Sequence, residues 1–272
     1  MKKIIYLILL LAAMTLPAAF DAASQESGNI DPAAIIQRIL SVEREQLDEI
    51  KDIIFEAEFV EGEFKDDGFE EKVRFVKKIY LKFLPDTVLF HEDYLEYYKD
   101  GELQDDRDRK KEEVKRKEEK KKRKAYDISY SIYTPFYADQ GEFYDIEYLG
   151  LAEEKVNDYV CHHFTVRARE EREGLINGDY FFEAGSFNLV RVDFSPAKLV
   201  KKTMFKLSKL DMTLLNGPTP EGYWLPREFS IDGRGKAAFF FGVDFNGREY
   251  YRKPIINSGI DDKIFEVEEN DE

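Results

Sequence analysis

Hydrophobic residues recur along the chain with two different periods, and the change of period separates one helix from a series of strands. In the segment DPAAIIQRILSVEREQLDEIKDIIF, which starts at Asp31, apolar residues return every three, four or seven positions, apart from one slip near Val42. Asp31 can cap a helix, and Pro32 suits the first helical position. The pattern predicts an amphipathic helix from about residue 32 to 50.

After this helix the period changes to two, which is typical of strands with one apolar face. The apolar positions of three such runs are Phe55, Ala57 and Phe59; Val73, Phe75, Ile79, Leu81 and Phe83; and Ala237, Phe239, Phe241, Val243 and Phe245. Asn-Gly and Asp-Gly pairs favour tight hairpin turns. The chain has six of them: Asp67-Gly68, Asp100-Gly101, Asn177-Gly178, Asn216-Gly217, Asp232-Gly233 and Asn246-Gly247. We therefore expect a mainly antiparallel meander of about nine to eleven strands.

The content of aromatic residues is high for such a sheet, at 14% of the chain with 22 Phe and 16 Tyr. A long sheet curls, and the helix of residues 32–50 would then cover part of its concave face. No linker rich in Pro or Ser interrupts residues 31–268, so this range is predicted to be a single domain, followed by a short acidic tail at 269–272.

The densest charge lies in the run from Asp105 to Lys124, where twelve basic and seven acidic residues give a net charge of +5 in a chain whose overall charge is −15. Glu112 precedes Arg116 by four residues and Glu113 precedes Lys117 by four, which is the favourable order for helical ion pairs. Val114 is the one apolar residue of the run, so we expect a solvent-exposed helical insertion with nothing to anchor it to a core. Disorder is the alternative. Contact with an anionic surface is its possible function.

The first residues have the layout of a secretory signal peptide. Lys2 and Lys3 precede an uncharged apolar stretch from Ile4 to Met14, and small residues follow it. The alternative is a membrane anchor, but the apolar stretch is shorter than the roughly 20 residues that a spanning helix needs. Cleavage between Ala19 and Ser24 is expected, with 1–23 as the signal peptide and 24–30 as a spacer. No cysteine is present there for lipidation. The sequence thus predicts an exported, periplasmic protein without a nucleic-acid partner.

Candidate catalytic and metal-binding residues are few. Cys161, His162 and His163 are adjacent in a run that alternates as a strand, so Cys161 and His163 would face one side and His162 the other, and three neighbours cannot converge on one ion. No nucleophile motif is present, and the carboxylates are too numerous for any one pair to stand out. The sequence therefore predicts neither an enzyme, nor a metal site, nor a cofactor.

Several segments resemble proteins of the LolA-like family, the outer membrane lipoprotein-sorting proteins, over most of residues 32–268. EGYWLPREFSIDG resembles the strand of that family that carries Gly-x-Trp-x-Pro, and INSGIDDKIFE is similar to its ending. EYLGLAEEKVNDYVCHHFTV and DYFFEAGSFNLVRVDF resemble a hairpin and the strand pair that follows it. The charged run at 105–124 is an insertion relative to the compact sorting proteins.

The resemblance implies a half-open antiparallel β-barrel whose mouth is closed by helices, and a carrier that shields the acyl chains of a lipoprotein or another lipid in the periplasm. The groove would be lined by the apolar faces of the alternating runs, namely Phe55, Phe59, Phe75, Ile79, Leu81, Phe83, Phe239, Phe241 and Phe245. Expected partners are a lipidated protein or lipid, with transient contact to a membrane or a membrane-anchored complex. The alternatives are a regulatory module similar to RseB and MucB that binds a membrane-anchored protein, and a β-scaffold without a ligand.

Overall fold

The computed structural model describes residues 31–266 except 66–67, 85–86, 125–131, 200, 203–204 and 238–240. It describes the backbone alone at 64–65, 68, 117–124, 202, 205, 237, 241, 243 and 245. The predicted signal peptide, the spacer and the acidic tail lie outside the described residues. None of the helices in the described part is long and apolar enough to cross a membrane.

The first element is the predicted amphipathic helix, α1, which spans Pro32–Glu49. The side chain of Asp31 accepts a hydrogen bond from the backbone N–H of Ala33 at 3.0 Å, so the predicted cap is confirmed. The helix buries Ile35 and Ile39 against the sheet. Tertiary packing of this apolar face, rather than helix propensity, supplies most of its stability.

The remaining elements are mainly strands, in agreement with the predicted mainly β fold. In chain order they are β1 (Asp52–Lys65), β2 (Gly68–Leu84), β3 (Thr87–Lys99), β4 (Glu102–Leu103), α2 (Asp106–Lys124), two 3-10 turns (Thr134–Phe136 and Ala138–Gln140), β5 (Tyr144–Leu151), β6 (Cys161–Ala168), β7 (Ile176–Glu183), β8 (Leu189–Pro196), β9 (Lys201–Lys202), β10 (Phe205–Pro218), β11 (Trp224–Ala237), β12 (Phe241–Ile256) and a last 3-10 turn (Asp262–Phe265).

All strands belong to one antiparallel sheet with the order β4-β3-β2-β1-β12-β11-β10-β8-β7-β6-β5, and the two-residue β9 is added beside β10. The last strand, β12, lies between β1 and β11 and so joins the two halves of the chain. Among the described residues, β4 and β5 do not pair with each other, so the sheet does not close. The half-open antiparallel barrel is confirmed, and the eleven strands of this path, without the short β9, agree with the predicted nine to eleven.

Most of the predicted hairpin turns are wrong. Asp100-Gly101 does connect β3 to β4, with both φ angles positive, but the pairs that begin at Asn177, Asn216, Asp232 and Asn246 lie inside strands. At two of these places, close packing or an irregularity in strand pairing accounts for the glycine. A Cβ on Gly247 would lie 3.2 Å from the ring of Phe59, and the pairing of β10 shifts next to Asn216. Asp67-Gly68 lies partly outside the described residues.

One row of directly paired residues crosses ten strands of the sheet. Directly paired residues point to the same face, so the row defines the inner face on which α1 packs. We call it the cross-sheet row, and its members from β5 to β3 are Tyr148, Phe164, Tyr180, Val192, Leu214, Phe229, Glu249, Phe59, Phe75 and Tyr97. Glu249 is the charged exception in an otherwise aromatic and aliphatic row.

The inner face is covered differently in its two halves. Over β6 to β8, α1 and the segment around Phe136 form the largest core cluster, in which the Phe136 ring makes edge contacts with Phe164, Tyr180 and Phe182 at centroid distances of 5.1 to 5.8 Å. Such T-shaped contacts are the preferred geometry of aromatic pairs. The half formed by β1, β2, β3 and β12 is covered by other means, and it contains the residues predicted to line a groove.

The segment INSGIDDKIFE fastens the end of the chain to the start of β1. The Asp52 carboxylate accepts hydrogen bonds from the backbone N–H groups of Ser258 and Gly259, at 2.7 and 3.0 Å, and from the Ser258 hydroxyl. The Asn257 side chain accepts from the backbone N–H of Lys51. Because Asp52 is buried, these donors replace its lost water and fix the junction of α1 and β1.

Candidate functional site

The predicted groove residues of β1 and β2 lie together on the inner face. Phe55 pairs with Ile79, and Phe59 pairs with Phe75, so their side chains share one face of the sheet. Phe55, Phe75, Ile79 and Leu81 are each at most 3% exposed. Phe59 and Phe83 are half-buried. The sequence pattern therefore placed these six residues on the correct face, although their role in binding stays a prediction.

The six residues divide into two apolar groups. Phe55, Ile79, Leu81 and Phe83 belong to a cluster that also contains Ile50, Ile53 and Trp224, and the ring of Phe55 meets that of Tyr251 edge-on at 5.4 Å. Phe59 and Phe75 form the second group with Tyr94 and Tyr97 of β3, in which Phe75 stacks on Tyr97 at 4.9 Å. We call this second group the aromatic patch.

A charged cluster that the alternating pattern did not predict separates the two groups. Lys77 of β2 is buried on the same face, and its Nζ lies 2.5 Å from Glu92 Oε1 of β3 and 2.5 Å from Glu249 Oε1 of β12. The hydroxyl of Tyr251 donates to Glu249 at 2.9 Å. Lys77 lies on the same face of β2 as the buried Phe75 and Ile79, because it is two positions away from each along the strand. A charged residue at such a position could have revealed a buried ion pair.

The ammonium of Lys77 is held in its charged form. Burial by itself lowers the pKa of Lys77, but the carboxylates of Glu249 and Glu92 outweigh burial and hold this pKa above its ordinary value. Burial, followed by the Glu249 carboxylate, raises the pKa of Tyr251 well above its usual range, so this tyrosine remains a hydrogen-bond donor. One ammonium thus faces two carboxylates, and the inner face carries a fixed polar point between two apolar groups.

Helix α2 covers the aromatic patch, which corrects the expectation that nothing anchors the charged run. The guanidinium of Arg116 lies 4.5 Å from the ring centroid of Phe75 and 5.6 Å from that of Phe59, and it donates to Glu61 at 3.1 Å. Arg109, two turns earlier, donates to the backbone carbonyl of Tyr94. The helix itself is confirmed. Its anchoring was missed because arginine stacks on aromatic rings through its cation, a contact that hydrophobic periodicity does not register.

The last three predicted groove residues, Phe239, Phe241 and Phe245, are described only in part. Phe239 lies outside the described residues. The backbone of Phe241 pairs with Ala237, and that of Phe245 pairs with Gly233, while their side chains lie outside what the structure describes. Their place in a groove stays a prediction.

The Cys-His-His run forms part of the packing of β6. Burial raises the pKa of the Cys161 thiol to about 12. Burial also lowers the pKa of His162, whose Nδ1 lies 2.9 Å from the Tyr148 hydroxyl. His163 stacks on Phe181 with ring centroids 4.4 Å apart. Within the described residues, no group of three His, Cys, Asp or Glu side chains could hold a metal ion.

A second titratable group lies on α1, away from the predicted groove. Glu43 is buried, and both of its carboxylate oxygens accept from the Tyr137 hydroxyl, at 2.8 and 2.7 Å. Burial raises the pKa of Glu43 to about 7, and the hydrogen bond from Tyr137 offsets part of this effect. The contact between α1 and the segment around Phe136 therefore contains a carboxyl group that titrates near neutral pH.

A cavity of about 330 Å³ lies apart from the predicted groove residues. Five of its seven lining residues are charged, and the full set is Glu63, Lys209, Asp232, Gly233, Arg234, Asp244 and Asn246. A space with this lining does not suit an acyl chain, because transfer of a hydrocarbon chain out of water requires apolar contact. The candidate site is therefore the inner face of β1, β2, β3 and β12 beneath α2.

No protein-family model matches the chain, and no curated protein matches it. Solved structures do match. A protein of the family of unknown function DUF1329 from Desulfovibrio piger has 12% identity and a TM-score of 0.45, with 87% of this chain and 98% of that chain covered. A candidate outer membrane lipoprotein-sorting protein domain from Vibrio parahaemolyticus has 11% identity and a TM-score of 0.40, with 86% and 95% covered.

A LolA superfamily protein from Nitrosomonas europaea has 9% identity and a TM-score of 0.36, with 88% of this chain and 98% of that chain covered. The last two proteins come from the group that the sequence segments resemble. At these identities the comparison concerns the fold alone: the chain is similar to structures of LolA-like proteins.

Proposed function

We propose that the protein is an exported carrier that binds an acyl chain of a lipoprotein or another lipid on the inner face of β1, β2, β3 and β12. One observation carries the proposal: a row that is apolar except for Glu249 crosses ten strands, and the half of it without α1 is covered by a helix that contributes arginines rather than aliphatic side chains. The proposed binding residues are those predicted from sequence, namely Phe55, Phe59, Phe75, Ile79, Leu81, Phe83, Phe239, Phe241 and Phe245.

The energies favour an exchange of α2 for a lipid. Each methylene of an acyl chain contributes about 0.8 kcal/mol when it is buried. A cation–π contact contributes about 0.5 to 2 kcal/mol. Arg116 makes two such contacts with the aromatic patch, through Phe75 and Phe59. A chain that buries several methylenes on the patch therefore outweighs these two cation–π contacts, and the hydrogen bonds of Arg116 to Glu61 and of Arg109 to Tyr94 can be replaced by water when the helix opens.

The polar cluster fits the same proposal. An acyl chain in contact with the aromatic patch would end near Lys77, whose ammonium and two neighbouring carboxylates offer hydrogen bonds to an ester or amide group of the lipid. The carrier class comes from the sequence resemblance, and export comes from the predicted signal peptide. The proposed role is binding rather than catalysis.

The test is lipid recovery from protein purified after export. Mass spectrometry of an organic extract is expected to show co-purifying lipid, and a fluorescent fatty acid is expected to bind the delipidated protein. Phe59→Ser in the aromatic patch should reduce this binding at least tenfold, because it removes apolar contact area and adds a polar group. The matched control is Phe143→Ser, a half-buried residue that precedes β5, and it should bind like wild type.

Absence of lipid in the extract, together with absence of fatty-acid binding, would refute the carrier. Retention of a membrane-anchored protein by a lipid-free preparation would favour the regulatory alternative. A folded Phe59→Ser variant that binds the probe like wild type would move the site away from the aromatic patch.

A further inference from the structure

The two faces of α2 differ in charge. The exposed residues of its described part follow helical spacing as Arg107, Lys110, Lys111, Val114 and Lys115. The half-buried residues of the same part are Asp108, Arg109, Glu112, Glu113 and Arg116. The outer face thus carries four positive charges and no acid. The exposed acid of this part is Asp106, which lies in the first turn and is ion-paired with Arg109 at 3.5 Å.

Glu112 and Glu113 form ion pairs on the inner side of α2. Glu112 lies 3.4 Å from Arg116, and Glu113 lies 3.7 Å from Arg109. Lys115 also reaches Glu112, at 3.3 Å, while its side chain stays 62% exposed. In residues 107–116 the helix therefore places the basic residues Arg107, Lys110, Lys111 and Lys115 towards solvent and the acids towards the sheet.

The same segment exposes aliphatic side chains. Leu103 in β4 is 62% exposed and Val114 in the outer face of α2 is 57% exposed, the two highest values among the large hydrophobic residues of the described part. Leu103 precedes the first residue of α2 by three positions. A basic helix face with exposed aliphatic residues is the composition of segments that lie at a bilayer surface, where lysines reach the headgroups and apolar side chains enter below them.

The charge of the rest of the chain favours an orientation in which α2 faces an anionic surface. Residues 106–124 contain twelve basic and six acidic residues, a net charge of +6, whereas the whole chain has −15. The remainder therefore carries −21 and is repelled by an anionic surface, so that attraction is confined to α2.

We propose that the exposed face of α2 docks the protein on a bilayer surface that contains anionic lipids. Lys110, Lys111 and Lys115 contact the headgroups, and Val114 enters the interfacial layer between them. The exposed aliphatic residues select a lipid surface over an acidic protein or a nucleic acid, since those partners offer charge without an apolar layer. The docking face is distinct from the inner face proposed to bind acyl chains, so each function can be present without the other.

The experiment measures sedimentation of the exported protein with vesicles of phosphatidylcholine alone and vesicles of equal parts phosphatidylcholine and phosphatidylglycerol. Binding is expected to the anionic vesicles only and to weaken as salt is added. The triple variant Lys110→Gln, Lys111→Gln, Lys115→Gln should lose about fivefold in affinity for each charge removed. The control Lys155→Gln, Lys206→Gln, Lys236→Gln changes the net charge equally at exposed positions outside α2 and should bind like wild type.

The variant Val114→Ser distinguishes binding to a lipid surface from binding to other anionic partners. It should weaken vesicle binding severalfold while binding to a soluble polyanion such as heparin stays unchanged. Three outcomes would overturn the proposal: no binding to anionic vesicles at low salt, equal losses in the two triple variants, or heparin binding as tight as vesicle binding with no effect of Val114→Ser. Circular dichroism of each variant checks that the fold is intact. Lipid extraction, as described above, tests the carrier separately from this docking face.

Discussion

Lys77 on β2 and Glu249 on β12 form an ion pair across the intervening strand β1, with 2.5 Å between Nζ and Oε1. The residue of β1 that is paired with both Lys77 and Tyr251 is Ala57, which is 2% exposed. A methyl group at this position leaves room for the lysine side chain to reach over β1. The ion pair thus links three adjacent strands at the place where the last strand of the sheet joins the first.

Removal of the lysine charge is expected to destabilise the fold strongly. In Lys77→Met, the carboxylates of Glu92 and Glu249 remain buried without their cation, and such a loss typically costs 3 to 5 kcal/mol. Urea unfolding followed by circular dichroism measures the difference. Lys78→Met, on the opposite face of the same strand, should change the free energy of unfolding by no more than about 0.5 kcal/mol.

The triple variant Lys77→Met, Glu92→Gln, Glu249→Gln tests whether unpaired buried charge causes the loss of stability in Lys77→Met. Because it removes all three charges together, we expect it to recover most of the stability lost in Lys77→Met. If the triple variant were as unstable as the single one, packing of the lysine stem rather than charge would explain the loss.

The buried carboxyl of Glu43 predicts a pH dependence of stability. Its folded-state pKa is about 7, above the ordinary value of 4.5. The folded state therefore binds a proton more tightly than the unfolded state between these values, and the ionised group lowers stability above pH 7. The contribution of this group to stability thus becomes more favourable as the pH falls from 7 towards 4.5.

Glu43→Gln imitates the protonated carboxyl and keeps an acceptor for Tyr137. It should raise the free energy of unfolding by about 2 to 3 kcal/mol at pH 8, and the gain should shrink to near zero at pH 4.5. Urea unfolding at both values measures it. Glu45→Gln, at an exposed position of the same helix, is the control. An equal gain at both pH values would contradict the assignment to Glu43 ionisation.

The Asp52 carboxylate is expected to be the main link between the end of the chain and β1. Asp52→Ala removes a buried carboxylate that accepts from the N–H groups of Ser258 and Gly259 and from the Ser258 hydroxyl, which should lower the free energy of unfolding by about 2 to 4 kcal/mol. The comparison is Asp261→Ala, an exposed acid whose side chain accepts one hydrogen bond, from Lys263, at 3.0 Å. That change should cost about 1 kcal/mol. Similar losses in both variants would argue against a special role for Asp52.

The sequence predicted features that depend on local pattern. Alternation in β1 and β2 placed Phe55 and Phe75 on one face, and Asp31 with Pro32 predicted the start of α1. Four of the six turn predictions failed because Asn-Gly and Asp-Gly pairs record a local backbone preference, while Gly247, for example, lies in close contact with the ring of Phe59 from a neighbouring strand. Lys77 was missed because its partner Glu249 comes from the last strand, and register between distant strands is invisible in either segment alone.

Arg116 is expected to hold α2 on the aromatic patch. Arg116→Ala removes its contacts with Phe75 and Phe59 and its hydrogen bond to Glu61, so the helix should open more often. Amide hydrogen exchange in residues 106–116 should become roughly tenfold faster, which corresponds to about 1.4 kcal/mol. Exchange in β6 to β8 should not change, because α1 covers that half of the inner face.

Two further variants show whether the planar guanidinium of Arg116 or its charge alone holds α2 on the aromatic patch. Lys115→Ala removes a neighbouring charge that contacts no aromatic ring of the described part, and it should leave the exchange rate near that of wild type. Arg116→Lys keeps the charge but loses the planar stacking group, so an intermediate rate is expected. A wild-type rate in Arg116→Ala would show that α2 is held by other contacts, and the aromatic patch would then have no lid governed by this residue.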